Sequence, residues 1–328
     1  MPTHPKRFDV SIVGDMNLDL VLDGLPERLP VERELIASGF RVTLGGSAAI
    51  LAHNLAALGL KVGFSSLAAT DAFGKIARDW LSGPGVDISN LRDGDAQSTS
   101  GVTVLLNHGA GRHILSYLGT TGELGLRHLN LDHICSAWHF HLSSLFLLKG
   151  LHPDLPALFH AIKQEGLSLS LDTNDDPEDR WHGVLDELLP LIDILLPNER
   201  ELLRMTGTDS VTAALDIMAD KVPVIAVKCG ARGAIVQQGR QRWPVPPVAV
   251  VPMDTIGAGD SFNAGFLAGH VRGLPPAECA ALGNVAGAVS TLKTGGIGAF
   301  RDRTFLRNAI RKMDPASKLL EFLAPEPR

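Results

Sequence analysis

Short apolar runs take turns with helical repeats along most of this chain. Residues 61–67 read as a strand, 72–81 as a helix and 86–88 as a strand, and buried-strand runs return at 167–171, 192–196 and 222–228. Parallel neighbours in a sheet need a crossover, usually a helix, so the rhythm predicts an α/β protein with a mainly parallel sheet. No internal repeat or low-complexity linker divides the 328 residues, which suffice for one large α/β domain with an appendage.

Two segments break the rhythm. Residues 99–106 and 113–118 flank a turn at 107–112 that contains Gly109 and Gly111, the pattern of a hairpin best placed outside the main sheet. Near the start, a strand at 8–14 is followed by Asp15, Asn17 and Asp19 alternating with Met16, Leu18 and Leu20. Period two puts those three polar groups on one face, either a solvated surface or a wall of acceptors suited to vicinal hydroxyls. The hairpin would pair with this strand as a small lid. Residues 22–44, with Pro26 and Pro30, lead as loop and strand to Gly45, Gly46 and Ser47. Ser47 is placed to cap a helix bearing Ile50, Leu51, Leu55 and Leu58 and closed by Gly59.

The stretch richest in chemistry is DTIGAGDSFNAGF, from Asp254 to Phe266. Gly257, Ala258 and Gly259 precede Asp260 and an apolar helical repeat, so their backbone N–H groups lie at a helix N-terminus, where anions are attracted. Asp260 then has two readings, an ordinary cap or a base beside the anion cradle. Elsewhere, AWHFHLS at 137–143 puts His139, His141 and Ser143 on one strand face, with hydrogen-bonded structural histidines preferred to a metal pair. Asp172 ends a strand and is followed by Asn174 and Arg180, which fit either a ligand loop or an Asx-rich helix start. Asn198 caps a predicted helix, Lys228 ends a strand before the turn containing Gly233, and Asn284 stands out in a small-residue helix at 277–292. Residues 304–313 and the tail to 328 carry no chemistry.

DTIGAGDSFNAGF and GGSAAILAHNLAALG together resemble the signatures of the ribokinase-like (PfkB) family, and the resemblance runs from about Val10 to Arg301. It implies a single kinase domain over 1–328, a three-layer α/β/α body with a small β-sheet lid formed by about 15–44 and 98–119. It makes Asp260 the base for the substrate hydroxyl and Gly257, Ala258 and Gly259 the anion hole. Asn17 and Asp19 would hydrogen-bond the substrate from the lid, Gly45, Gly46 and Ser47 would line its site, and Ser143, Asn174 and Arg180 would be further contacts. ATP would meet Asn198, Lys228, Gly233 and Gly259, with Asn284 by the adenine. Asn198 and Glu201 would serve the water shell of Mg²⁺, and Asp254 would help hold a potassium ion. Family members often pair through their lids, which implies a homodimer. The chain departs from the pattern at Ile50, where Asn is usual, and at Ala69, where Gly is usual. Those departures bear on substrate identity.

The function expected is an ATP-dependent kinase acting on a hydroxyl of a small sugar or sugar acid. A nucleoside kinase of the same fold is the alternative, with Tyr117, Trp138 and Phe146 available for stacking; a non-catalytic sugar-binding protein would lack the base that Asp260 supplies. No G-x-G-x-x-G follows the first strand and no G-x-x-x-x-G-K-[ST] occurs, which removes dinucleotide oxidoreductases and Walker NTPases. A net charge of −6 without a basic run, and 5% aromatics, argue against nucleic-acid partners. Cys135, Cys229 and Cys279 read as buried thiols in a reducing compartment. With no signal-like or membrane-spanning apolar run, a cytoplasmic location is expected.

Overall fold

A computed structural model describes residues 5–109 and 111–323, so residues 1–4, Ala110 within the turn expected at 107–112, and the tail at 324–328 lie outside the described residues. Among the described residues thirteen strands form two sheets. They are β1 (Phe8–Val13), β2 (Asn17–Asp23), β3 (Gly39–Gly45), β4 (Val62–Ala68), β5 (Asp87–Asp93), β6 (Gly101–His108), β7 (Gly111–Tyr117), β8 (Ala137–Ser143), β9 (Ser168–Asp172), β10 (Ile194–Leu195), β11 (Val224–Lys228), β12 (Ala234–Gln238) and β13 (Gln241–Val245). The large sheet runs β13-β12-β11-β10-β9-β8-β1-β4-β5. Every pairing from β11 to β5 is parallel, and β12 and β13 add an antiparallel edge.

Strand alternation divides the apolar residues between two cores, one on each face of this sheet. Val10, Ile12, Val62, Phe64 and Ala226 enter one core with the helices Ser47–Ala57, Ala258–His270 and Pro276–Ser290. Phe8, Val13, Leu169, Leu171, Ile225 and Val227 enter the other, with the helices Leu155–Gln164 and Glu199–Thr206. The result is the three-layer α/β/α body expected. The prolines at 244, 246 and 247 predict a connecting segment over 243–252, whose first residues, 243–245, instead belong to the edge strand β13. An edge tolerates Pro244, whose missing N–H faces no partner strand.

The second sheet has the order β3-β2-β6-β7, with β2 and β6 parallel and the other pairs antiparallel. Its inner face carries Asn17, Asp19 and Val21, and Ile256 packs there against Val21 and Leu105. Its outer face is apolar, with Phe40 64% and Tyr117 62% exposed beside Val42 and Leu115. Asp15 is not on this sheet. It lies in the connection between β1 and β2, so the period-two reading that grouped it with Asn17 and Asp19 is corrected. Among the described residues no helix is long and apolar enough to cross a membrane. All three cysteines are free and buried, and burial pushes their thiols up to about 11, 11 and 12 for Cys135, Cys229 and Cys279.

Candidate active site

Parallel strands leave their C-terminal ends together, and here Ser143, Asp172 and Lys228 close β8, β9 and β11 on one edge of the body. Two helix N-termini converge there, those beginning at Ser47 and Ala258.

The second helix is entered through Gly257, whose φ of 70° is left-handed and where an added Cβ would stand 2.4 Å from Gly296 Cα. Only glycine meets both demands. The backbone N–H groups of Gly257 and Gly259 make no hydrogen bond among the described residues, so both remain available to an anion. Asp260 is buried in the first turn and is not the cap, a position held by Gly257. Burial, and then the charge of Asp172, raise its carboxyl to about 8, against a partial offset from Lys228.

Below the cradle, Lys228 Nζ meets Asp172 Oδ2 at 2.7 Å, and Asn263 donates to the same oxygen. Lys228 also lies beside Gly259, whose added Cβ would come 3.7 Å from Nζ. Asp172 Oδ1 receives the backbone N–H of Asn174 at 3.2 Å. Asn174, itself left-handed at φ 54°, donates to the hydroxyls of Ser47 at 2.6 Å and Ser144 at 2.7 Å.

The Ser47 helix is not capped by Ser47. Gly46, at φ 85°, holds the cap position without a side chain, and Asp15 does the work from another part of the chain. Its carboxylate accepts the N–H groups of Ser47 at 3.2 Å and Ala48 at 3.0 Å, and the Ser144 hydroxyl at 2.9 Å. Asn54, buried on the same helix, donates to Ser261 Oγ and to the Gly296 carbonyl, both at 3.0 Å, tying the two helices and the loop after them. Ile50 fills the space between Gly257 and Gly296, so the departure from the usual Asn is a packing residue against the cradle.

From the second sheet, Asn17 and Asp19 lean over Gly45, where an added Cβ would stand 2.6 Å from Asn17 Oδ1 and 2.1 Å from Asp19 Oδ1. Asn17 donates to Thr103 Oγ1 at 2.9 Å, but its buried Oδ1 has no partner. Asp19 accepts no hydrogen bond from any described residue. Burial raises its carboxyl well above the usual range, helped by Asp15 and Asp260 and opposed by Arg112. Two unsatisfied acceptors thus face the site.

Asn198 and Glu201 form a capping box at the start of the Glu199–Thr206 helix: Asn198 Oδ1 accepts the Glu201 N–H at 2.9 Å, and Glu201 Oε2 accepts the Asn198 N–H at 2.8 Å. Burial, then the charge of Asp172, raises Glu201 to about 7. Asn284 donates to the Pro246 carbonyl at 2.8 Å, and Gly233, at φ 87°, abuts the Val245 carbonyl, so these two share the segment after β13. Asp254 is engaged on both oxygens: Oδ1 accepts the Ile256 N–H and Oδ2 the Gly295 N–H, each at 2.9 Å.

Other expected residues lie apart. Arg180 is exposed, pairs with Glu178, and borders a separate cleft of about 380 Å³ with Phe146 and His152. Tyr117 is on the outer face of the second sheet, Trp138 is exposed near Lys6, and Phe146 packs on Trp181, so none of the three aromatics stands at Asp260. A larger cleft of about 560 Å³, lined by Arg41, Trp80, Lys293 and Arg301, adjoins Gly295 without including Asp260. The histidines of β8 are structural: Ser168, His139, Ser170, His141 and Ser143 form an unbroken chain of hydrogen bonds of 2.6–2.9 Å, extended at 3.3 Å to His270. Burial lowers His141 to about 4 and His139 well below its ordinary value. Among the described residues no three His, Cys, Asp or Glu are grouped to hold a metal.

Reading the sequence misplaced Asp15 and missed Asn54 and Asn263. Of the two missed, Asn263 carried a signal, as an amide among the apolar residues inside the 254–266 run.

Residues 7–303 match the family described as pfkB family carbohydrate kinase. A fructokinase of Klebsiella pneumoniae is 30% identical over 321 residues, covering 92% of this chain and 99% of the relative. A structure of Arabidopsis thaliana ribokinase complexed with ribose and ATP superposes with a TM-score of 0.80 at 25% identity, covering 94% of this chain and 99% of that one. A putative ribokinase II from E. coli in complex with ATP and Mg²⁺ gives 0.79 at 22% identity, with coverage of 94% and 99%.

Proposed function

Since the chain belongs to the pfkB family of carbohydrate kinases, we propose that it transfers the γ-phosphoryl group of ATP to a hydroxyl of a small sugar or sugar acid, with Asp260 as the base. The observation that carries this reading is the pairing of a buried carboxyl, raised to about 8, with the unbonded N–H groups of Gly257 and Gly259 at the same helix start. A base with a pKa near the working pH is suited to accept a hydroxyl proton, and fixed N–H donors suit the charge on a transferred phosphoryl group.

Asp260 takes the proton as the hydroxyl oxygen attacks. The free N–H groups of Gly257 and Gly259 hold the phosphoryl oxygens, while Ala258, expected as a third donor, gives its N–H to the Thr255 carbonyl at 3.3 Å; Lys228, fixed by Asp172, adds positive charge from below Gly259. Phosphoryl transfer asks chiefly for positioning and charge neutralisation, and those are what these groups provide. Asn17 and Asp19 orient the sugar, since two unsatisfied acceptors match two neighbouring hydroxyls. Gly45, Gly46, Ser47, Asn174 and Ser143 shape the floor under it. The second sheet then acts as a lid on one kinase domain, and Gly233 and Asn284 border the nucleotide.

Mg²⁺ suits the residues present. Glu201 at about 7 beside Asp172 is a carboxyl whose proton a hard cation can replace, and the unpartnered Thr173 Oγ1 and Asn263 Oδ1 add oxygens nearby. Asn198 and Glu201 would hold it through water, and when bound it neutralises the leaving diphosphate.

The apolar outer face of the lid supports a homodimer formed through it, because Phe40, Val42, Leu115 and Tyr117 would otherwise stay in water. A monomer in sedimentation equilibrium at micromolar concentration would remove that inference.

A panel of sugars, sugar acids and nucleosides in a coupled ADP-release assay tests the proposal. At least one sugar or sugar acid should give Mg²⁺-dependent turnover, and Asp260→Asn should bind both substrates while kcat falls by about 10²–10⁴. Near-normal turnover of Asp260→Asn sinks the assignment of the base.

A further inference from the structure

Asp254 lies three residues before Gly257, and its side chain is only 6% exposed. Its two oxygens accept backbone N–H groups from Ile256 and Gly295, and the guanidinium of Arg41 stands 3.7 Å from Oδ2. Arg41 belongs to β3 of the lid and is held by both oxygens of Asp23, to which Asn107 also donates at 2.8 Å. From β7, Arg112 donates to Thr255 Oγ1 at 2.6 Å and meets no carboxylate within 4.0 Å among the described residues.

Hard cations are held by oxygen atoms with lone pairs free to face them. Around Asp254 each carboxylate oxygen already accepts a backbone N–H, and a cation at the remaining lone pairs would stand against the Arg41 guanidinium, 3.7 Å from Oδ2. Arg41 faces both Asp23 and Asp254, while Arg112 stands on the neighbouring Thr255. A potassium ion therefore does not fit this set of residues.

We propose that Arg41 is a positioning residue that supplies, from the lid, the positive charge beside Asp254 that a monovalent cation would otherwise supply. The chain then works without potassium. This rests on the kinase reading, because the segment Arg41 steadies leads directly into the phosphoryl cradle. It also links lid closure to that cradle: withdrawing β3 removes the charge from Asp254.

The test compares the full-length protein in KCl and in tetramethylammonium chloride at equal concentration, by thermal unfolding and by turnover of whichever substrate the panel yields. Wild type should show the same Tm and a kcat within about twofold in both salts. Arg41→Gln should acquire a cation preference, with higher Tm and kcat in KCl, and Arg41→Lys, which keeps the charge, should remain indifferent. A potassium-specific rise in Tm or kcat of the wild type overturns the proposal, as does an Arg41→Gln variant that matches wild type in both salts. If Arg41→Gln does not fold, the wild-type comparison still decides. The unfolding measurement needs no substrate, so failure to find turnover counts against the kinase reading alone.

Discussion

The carboxylate of Asp15 accepts the backbone N–H of Ala48 at 3.0 Å, so the helix beginning at Ser47 is capped by a residue 33 positions earlier in the chain. The same carboxylate receives the Ser144 hydroxyl, joining β8 to that helix. Loss of a cap costs about 1–2 kcal/mol, and a buried hydroxyl left unpaired adds about 1 kcal/mol or more. Asp15→Ala should therefore lower the midpoint of urea unfolding clearly, and Asp15→Asn should lower it less. An unchanged midpoint for Asp15→Ala would show that the cap contributes nothing.

Asp19 behaves differently because nothing in the fold uses its carboxylate. Hydrogen bonds to a charged group contribute about 1.5–3 kcal/mol, and each 1.4 kcal/mol is about tenfold. Asp19→Ala should cut kcat/KM for the sugar by about 10–100-fold while KM for ATP holds. The Tm of the sugar-free protein should not fall, since a desolvated carboxyl is being removed. A lower Tm, or an equal loss of ATP affinity, would make Asp19 a structural residue.

The pH dependence has two opposite limbs with one source. Asp260 is raised to about 8 by burial and by Asp172, so the folded protein holds a proton that the unfolded chain releases near the ordinary carboxylate value. That contribution to stability is complete below the unfolded pKa and is lost as pH rises through about 8. Glu201, at about 7, and Asp19 act in the same direction. With Asp260 as the proposed base, activity needs its ionised form, so kcat/KM should climb toward alkaline pH while stability declines. Asp260→Asn should show a shallower decline in urea-unfolding free energy between about pH 4 and 8. A decline as steep as that of wild type would argue that Asp260 is ionised in the free protein.

Replacement of Glu201 by Gln keeps an oxygen able to accept the Asn198 N–H, so the capping box survives. The charge does not. The Mg²⁺ concentration for half-maximal turnover should rise about tenfold with little change in Tm, and an unshifted titration would take Glu201 out of the metal shell.

Most of the frame was legible because it rests on local patterns. The strand and helix alternation, the hairpin at 99–118 and the glycines ahead of Asp260 each announce themselves within a few residues. What escaped depends on distant partners. Ser47 looked like its own cap, and nothing nearby in the sequence indicates that Gly46 would leave the task to Asp15. Period two failed at Asp15 because the chain leaves the large sheet after Val13 and joins the second sheet only at Asn17, a change of partner that alternation does not register. Pro244 suggested a connector, although an edge strand has room for it. Arg180 was placed by its loop, whereas the side chain turns outward to Glu178.

The row of histidines and serines across β8 and β9 has a directional property. A neutral imidazole donates from one nitrogen and accepts at the other, and a hydroxyl has a single proton to give. If every proton in the row is used, the donors from Ser168 to Ser143 must all point the same way, and reversing one bond requires reversing all of them. The row is thus a cooperative polar wire with two senses, buried where the low dielectric strengthens each link. One end lies at His270, and the other is Ser143, the register partner of Asp172. The orientation of a dipole beside Asp172 is therefore tied to a tautomer chosen at the opposite end of the strands.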